Sequence, residues 1–293
     1  MSQPEVRAPN IPGPQADTRR PTLKIPSGAC DCHAHVFGPQ TRYPFLPHAG
    51  YIAPDASAED YARMLRTIGC ERGVLVQPSV YGTDNSAMMD ALRSGVFPFR
   101  GVAVIDEHVT DRELEDMHAA GVRGVRINLA AITPGLTLAQ APRLAPRLKA
   151  LGWHLQFFID FKKVTDAEER LKELDIDIVL DHFGRVNAHD SIDAPPFKSF
   201  LRLLARDNCW AKIMGVYFVS RRAPQFPDVP ALARAVVAAA PDRTVWATDW
   251  PHPMGLDQMP NDGDLADMLL EWVPDERQRE QVLVHNSARL YGF

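Results

Sequence analysis

The chain of 293 residues has no apolar run approaching the length of about 18 residues that a membrane-crossing helix needs. Its first residues are polar and proline-rich, without the apolar centre of a secretory signal, so the expectation is a cytoplasmic protein with no membrane partner. A basic block is missing too. Lysine and arginine total 32 against 37 aspartate and glutamate, a formal charge of -5, which speaks against a nucleic-acid partner. Four cysteines, Cys30, Cys32, Cys70 and Cys209, are too few and too scattered for a disulfide framework. Cys30 and Cys32 form C-x-C and alternate with Asp31 and His33, which predicts small buried hydrophobes on the strand face opposite the histidines. Neither a G-x-G-x-x-G turn nor a G-x-S-x-G elbow occurs, which argues against a dinucleotide-binding Rossmann domain and a serine hydrolase.

What the sequence does have is alternation. Residues 1–27 carry six prolines and few large apolar side chains, and read as a loosely ordered arm before a domain spanning 28–293. From Gly28 onward eight short apolar runs recur: "ACDCHAH", "RGVLVQ", "FRGVAVI", "VRGVRIN", "WHLQFFI", "DIVLDH", "CWAKIMG" and "TVWATDW". Each has the length and near-continuous apolarity of a parallel strand covered on both faces. Amphipathic stretches separate them, at 57–68, 85–94, 111–120, 141–151, 165–174, 196–206 and 229–240, several opening on a capping residue. Eight strands alternating with helices predict an α/β fold, a single (β/α)8 barrel.

Barrel chemistry gathers where strands end and βα loops begin. Polar residues stand at nearly every such end: His33 and His35 on the first run, Gln77 and Ser79 on the second, Arg126 and Asn128 on the fourth. Gln156 follows on the fifth, His182 and Arg185 on the sixth, Lys212 on the seventh, and Asp249 with His252 on the eighth. Three imidazoles and a carboxylate, His33, His35, His182 and Asp249, suit a divalent transition metal with one position open for water. The same set also works without a metal, the histidines polarising a carbonyl while Asp249 takes a proton from water. Arg126 and Arg185 look like a carboxylate clamp, with an internal ion pair to Asp181 or Asp160 as the bland alternative. Tyr81 in "QPSVYGTDN" and Tyr217 in "GVYFVSRR" sit in loops of the same mouth, so both join the candidate binding residues. His48, His108, His118, His154, His189 and His285 have no partner pattern and are assigned to surface or packing.

Taken together, "DCHAHVFGP", "VLVQPSVYGTDN", "AGVRGVRIN", "LGWHLQF", "DHFGR", "WATDWPHP" and the closing "NSARLYGF" resemble the amidohydrolase superfamily of the amidohydrolase 2 type. The likeness is to the branch holding 2-pyrone-4,6-dicarboxylate lactonase, 4-sulfomuconolactone hydrolase and galactarolactone isomerase. It implies a distorted (β/α)8 barrel that acts on a lactone ester. The branch's first-strand histidine pair falls on His33 and His35, its sixth-strand histidine on His182, and its water-activating aspartate on Asp249. Some members work without a metal and others use one, so the resemblance implies either no cofactor or one divalent metal such as zinc on His33, His35, His182 and Asp249.

Departures bear on the substrate. Arg126, Arg185 and Ser79 match pocket residues of the pyrone lactonase, but two further arginines of that pocket fall on Ile132 and Phe218, and a tyrosine falls on Phe158. A dicarboxylate would be poorly held. The intact Asp249 favours net hydrolysis, so the expectation is a small lactone with one carboxylate or sulfonate, of the muconolactone or sulfomuconolactone type. Gln156, Asn128, Tyr217, His252 and Tyr81 complete the expected binding set with Arg126, Arg185 and Ser79. The alternatives are a sugar-acid lactone isomerase, a metal-dependent decarboxylase of the same superfamily, and a binding protein without turnover. A homo-oligomer is compatible with the sequence and required by nothing in it.

Overall fold

The computed structural model describes residues 8–130, 133–190, 192–255 and 259–293. Strands and helices alternate as β1 (Cys30–Ala34), α1 (Ala58–Ile68), β2 (Arg72–Val76), α2 (Ser86–Arg93), β3 (Phe99–Ala103), α3 (Asp111–Ala120), β4 (Val122–Asn128) and α4 (Ala141–Ala150). They continue as β5 (His154–Phe158), α5 (Ala167–Leu171), β6 (Ile178–Leu180), α6 (Pro195–Leu204), β7 (Cys209–Ile213), α7 (Val216–Val219), α8 (Val229–Ala239) and β8 (Thr244–Trp246). Short helical turns fill much of 262–291. All eight apolar runs read from the sequence are strands, paired in parallel in the order β1 to β8. The chain just past β8 closes the barrel against β1: Asp249 N–H donates to His33 C=O at 3.0 Å and His35 N–H to Trp250 C=O at 2.7 Å. No described helix is long and apolar enough to cross a membrane.

Local chemistry accounts for the helix starts. Ser57 and Thr110 cap α1 and α3 with reciprocal capping boxes to Asp60 and Glu113, and Gly69 and Gly121 end those helices in the left-handed region. The expected helix at 165–174 contracts to α5, a five-residue element.

Alternation along the strands sorts their side chains into two layers. Leu75, Val125, Ile127, Leu155, Phe157, Ile178, Leu180, Ala211 and Trp246 belong to the large outer core beneath the helices. Val74, Val76, Val102, Val179, Trp210 and Val245 form a separate inner cluster, closed off by Leu290 and Tyr291. By the same period of two, Arg126, Gln156 and Lys212 point inward.

The first strand breaks this rule. Cys30 and Cys32 lie in the inner cluster, buried and unpaired as expected of small hydrophobes. Yet His33 also reaches inward, to within 3.3 Å of Lys212 Nζ. A register shift in the β1–β2 pairing between Asp31 and Ala34 suspends the alternation, so the cysteines and histidines do not take opposite faces.

The described part of the proline-rich arm is anchored. Ile11 and Leu23 are buried, Ile11 N–H donates to Ile52 C=O at 2.9 Å and Ile52 N–H to Pro9 C=O at 2.9 Å, and Arg19 pairs with Asp264 and Asp267.

Candidate active site

Three strand ends build the centre. The bulged end of β1 supplies His33 and His35, the turn after β6 supplies His182, and the segment after β8 supplies Asp249, all essentially buried. His182, Phe183, Arg185, Asp249 and His252 all have positive φ without being glycine. Such strain persists only where surrounding structure imposes it, and here it marks the two turns that carry site residues. Gly215 is needed for a steric reason: a Cβ there would overlap the His182 ring.

Asp249 is the hub. Its Oδ1 lies 3.6 Å from Nε2 of both His33 and His35, and its Oδ2 lies 3.4 Å from His182 Nε2 and accepts the Tyr217 hydroxyl. Burial alone would push the Asp249 carboxyl up, but His182 foremost, then His33 and His35, hold it well below the usual carboxylate range. Burial lowers both members of the histidine pair: His33 falls well below its ordinary value, helped by the Lys212 charge, and His35 falls to about 4. Near neutrality the pair is therefore uncharged. His35 Nδ1 lies 2.7 Å from the Val76 carbonyl, which can only accept, so its proton sits on Nδ1 and a bare Nε2 lone pair faces Asp249.

Beneath the centre lies a layer whose residues the sequence offered but whose connections it did not show. Lys212, fully buried, donates from Nζ to Cys32 C=O and Gln156 Oε1, each at 2.8 Å. Gln156 Nε2 donates to Asp181 Oδ2 at 3.0 Å. Burial would raise the Asp181 carboxyl, but Lys212, His33 and Arg126 hold it well below the carboxylate range. Lys212 was legible as a strand-end residue; that its charge would be matched by Asp181 was not.

The arginines take an intermediate outcome. Arg126 Nε sits 3.5 Å from Asp181 Oδ2, so part of its charge is answered internally, as the ion-pair alternative required. The guanidiniums of Arg126 and Arg185 both lie 5.0 Å from the Phe158 ring centre, and Arg185 lies 5.0 Å from that of Phe218. The two phenylalanines that depart from the pyrone-lactonase pattern thus brace the remaining arginines, while Ile132 lies outside the described residues. A narrow cavity with about 20 Å³ of water-accessible space adjoins Arg126 and is lined also by Ser79, Gln77, Asn128 and Leu136. Tyr51, not singled out by the sequence, is buried with its hydroxyl beside Ser79.

Other expected binding residues are engaged elsewhere. Gln156 is fully buried with both amide atoms bound within the lower layer, which makes it a support. Tyr81 accepts from Gly38 N–H at 3.2 Å and packs against Phe37 and Phe45. Asn128 Oδ1 caps the turn at Ala130 N–H. His252 Nε2 pairs with Asp262 at 3.0 Å, which overcomes the effect of burial and raises the His252 pKa.

The donor set fits a metal. His33, His182 and Asp249 present ligand atoms within 4.8 Å of one another, with His33 Nε2 3.6 Å from Asp249 Oδ1 and His182 Nε2 3.4 Å from Asp249 Oδ2. Buried His33 Nε2 and Asp249 Oδ1 have no hydrogen-bond partner among the described residues.

A (β/α)8 barrel with a buried histidine–aspartate centre at its strand ends has the layout of a barrel enzyme, whose active site lies at that face. The assignment sharpens with comparison: residues 30–293 match the amidohydrolase family, and the chain belongs to it. A 4-sulfomuconolactone hydrolase of Hydrogenophaga intermedia is 37% identical over 100% of this chain and 98% of its own. A D-galactarolactone isomerase of Agrobacterium fabrum is 32% identical over 92% and 93%. The apo crystal structure of an Agrobacterium tumefaciens protein superposes with a TM-score of 0.84 at 31% identity, covering 93% of this chain and 98% of the other.

Proposed function

We propose that the protein is a lactone hydrolase that opens a small lactone bearing one anionic group, of the muconolactone or sulfomuconolactone type. The observation that carries this reading is Asp249: an ionised carboxylate, braced by Tyr217 and faced by three imidazoles at 3.4 to 3.6 Å. The 37% identical sulfomuconolactone hydrolase supports the substrate class.

A water between Asp249 Oδ1 and His35 Nε2 meets two acceptors, so both its protons are held and an oxygen lone pair is left for the lactone carbonyl carbon. Asp249 takes one proton as the carbon–oxygen bond forms. The ring ester bond then breaks, and the proton passes to the departing ring oxygen, giving a hydroxy acid or its keto form. Arg126 and Arg185 seat the anionic group at the edge of the cavity. A divalent metal held by His33, His182 and Asp249 would supply Lewis-acid polarisation and a more acidic water when bound.

A panel of muconolactones, the sulfonated one, pyrone dicarboxylate and aldarolactones in ¹⁸O-water tests the reading. A ring-opened product carrying ¹⁸O is expected. Ring exchange without label would favour isomerisation, the reaction named for the 32% identical relative.

A further inference from the structure

Lys212 lies directly behind His33 and contributes nothing to the cleft surface, being fully buried under the histidine centre. An ammonium has three hydrogens and no acceptor. Two are placed at 2.8 Å, on Cys32 C=O and Gln156 Oε1. Of the remaining acceptors, His33 Nδ1 is nearer at 3.3 Å, and Asp181 Oδ1 lies at 3.6 Å. The competing contact, from His33 Nδ1 to Asp181 Oδ1, spans 3.5 Å, and that carboxylate oxygen has no hydrogen-bond partner among the described residues. Burial lowers the Lys212 pKa, and Asp181, 3.6 Å from Nζ with Arg126 and Gln156 on its other oxygen, supplies the negative charge that opposes that fall and favours the ammonium.

We infer that Lys212 is a positioning residue that fixes the tautomer of His33, so that the two histidines of the H-x-H pair face the centre in opposite forms. By donating to His33 Nδ1, Lys212 places the ring proton on Nε2 in the metal-free centre; a His33 that ligated a metal through Nε2 would carry its proton on Nδ1 instead, toward Asp181 Oδ1 at 3.5 Å. Without metal, His33 presents an N–H donor beside Asp249 Oδ1, while His35, whose proton is held at Nδ1 by Val76 C=O, presents a lone pair at the same oxygen. One imidazole of the pair is a donor and the other an acceptor. Resting on the hydrolytic reading, the consequence is a division of labour: His33 Nε2–H meets the oxyanion that grows on the lactone carbonyl, and His35 helps hold the attacking water. His33 Nε2, buried and without a partner among the described residues, is prepared for that load before substrate arrives.

The tautomer can be read without any turnover. In the full chain labelled with ¹⁵N-histidine and stripped of metal with a chelator, long-range ¹H–¹⁵N correlation separates the two neutral tautomers, with signals assigned by their loss in His33→Gln and His35→Gln. His33 is expected as Nε2–H and His35 as Nδ1–H. Finding His33 as Nδ1–H would overturn the inference, and this holds whether or not a lysine variant folds. Lys212→Met should move the His33 signals to the Nδ1–H form and leave those of His35 in place; unchanged His33 signals in a folded variant would also overturn it. On a turned-over lactone, Lys212→Met should lower kcat 10-fold or more with little change in KM. If the spectra give the expected tautomers and no lactone in the panel is opened, the tautomer assignment stands and the hydrolase reading falls.

Discussion

Asp249→Asn separates chemistry from binding at the centre. Asparagine keeps the size of the side chain and, glycine aside, is among the residues best able to tolerate the left-handed backbone that Asp249 adopts at φ 69°. Its amide oxygen can still accept the Tyr217 hydroxyl that now bonds Oδ2. The fold should therefore survive, with the melting temperature within a few degrees of the parent. The base is removed, and a positioned general base is worth about 10²- to 10⁴-fold in rate, or roughly 3 to 5.5 kcal/mol of barrier. Charge decides the direction of the binding term. Replacing a buried carboxylate takes a like charge away from an anionic substrate, so KM should stay level or fall. Steady-state kinetics on the lactone that the panel identifies give both numbers. A folded variant with kcat within 10-fold of the parent would remove Asp249 as the base, and a fall confined to KM would make it a binding residue.

Arg126→Met should raise KM for an anionic lactone roughly 10- to 100-fold, the size expected when a charge-assisted hydrogen bond is lost, with kcat within a few-fold; an unchanged KM would release Arg126 to its ion pair with Asp181. The acid limb of kcat/KM should report His35, whose pKa burial lowers to about 4, because protonation there abolishes the Nε2 acceptor; His35→Gln should shift or erase that limb. Asp31 predicts a pH-dependent stability, since burial raises its carboxyl to about 6 against an ordinary 3.8, although Thr248 N–H and hydroxyl oppose the shift. Between those values the folded state binds more protons than the unfolded, so stability falls as pH rises through about 6, by about 3 kcal/mol. Chemical denaturation between pH 4 and 7 should show that fall, and Asp31→Asn should flatten it.

Short-range pattern carried the strands, because a parallel strand covered on both faces reads as an apolar run and a polar residue at its end stands out. His33, His35, His182 and Asp249 were visible for that reason. Gln156 and Tyr81 were drawn into the same set because a strand-end position says which residues approach the mouth without saying at what depth. Depth is set by partners far off in sequence: Lys212 and Asp181 for the glutamine, Gly38 for the tyrosine. Tyr51 lay hidden because it arrives on the long loop between β1 and α1, with no period to announce it. Phe158 and Phe218 show where sequence and structure have to be read together. Reading substitutions alone, the pocket loses a hydroxyl and a guanidinium, which lowers its capacity for negative charge. In the structure the same two rings lie against the guanidiniums of Arg126 and Arg185, and a ring face attracts a cation without neutralising it. Asp181 already answers part of the charge of Arg126 and Asp160 part of that of Arg185, so what remains for a ligand is less than two full positive charges. A lactone with a single carboxylate or sulfonate matches that supply; a dicarboxylate would leave one desolvated anion without a partner, at a cost of several kcal/mol.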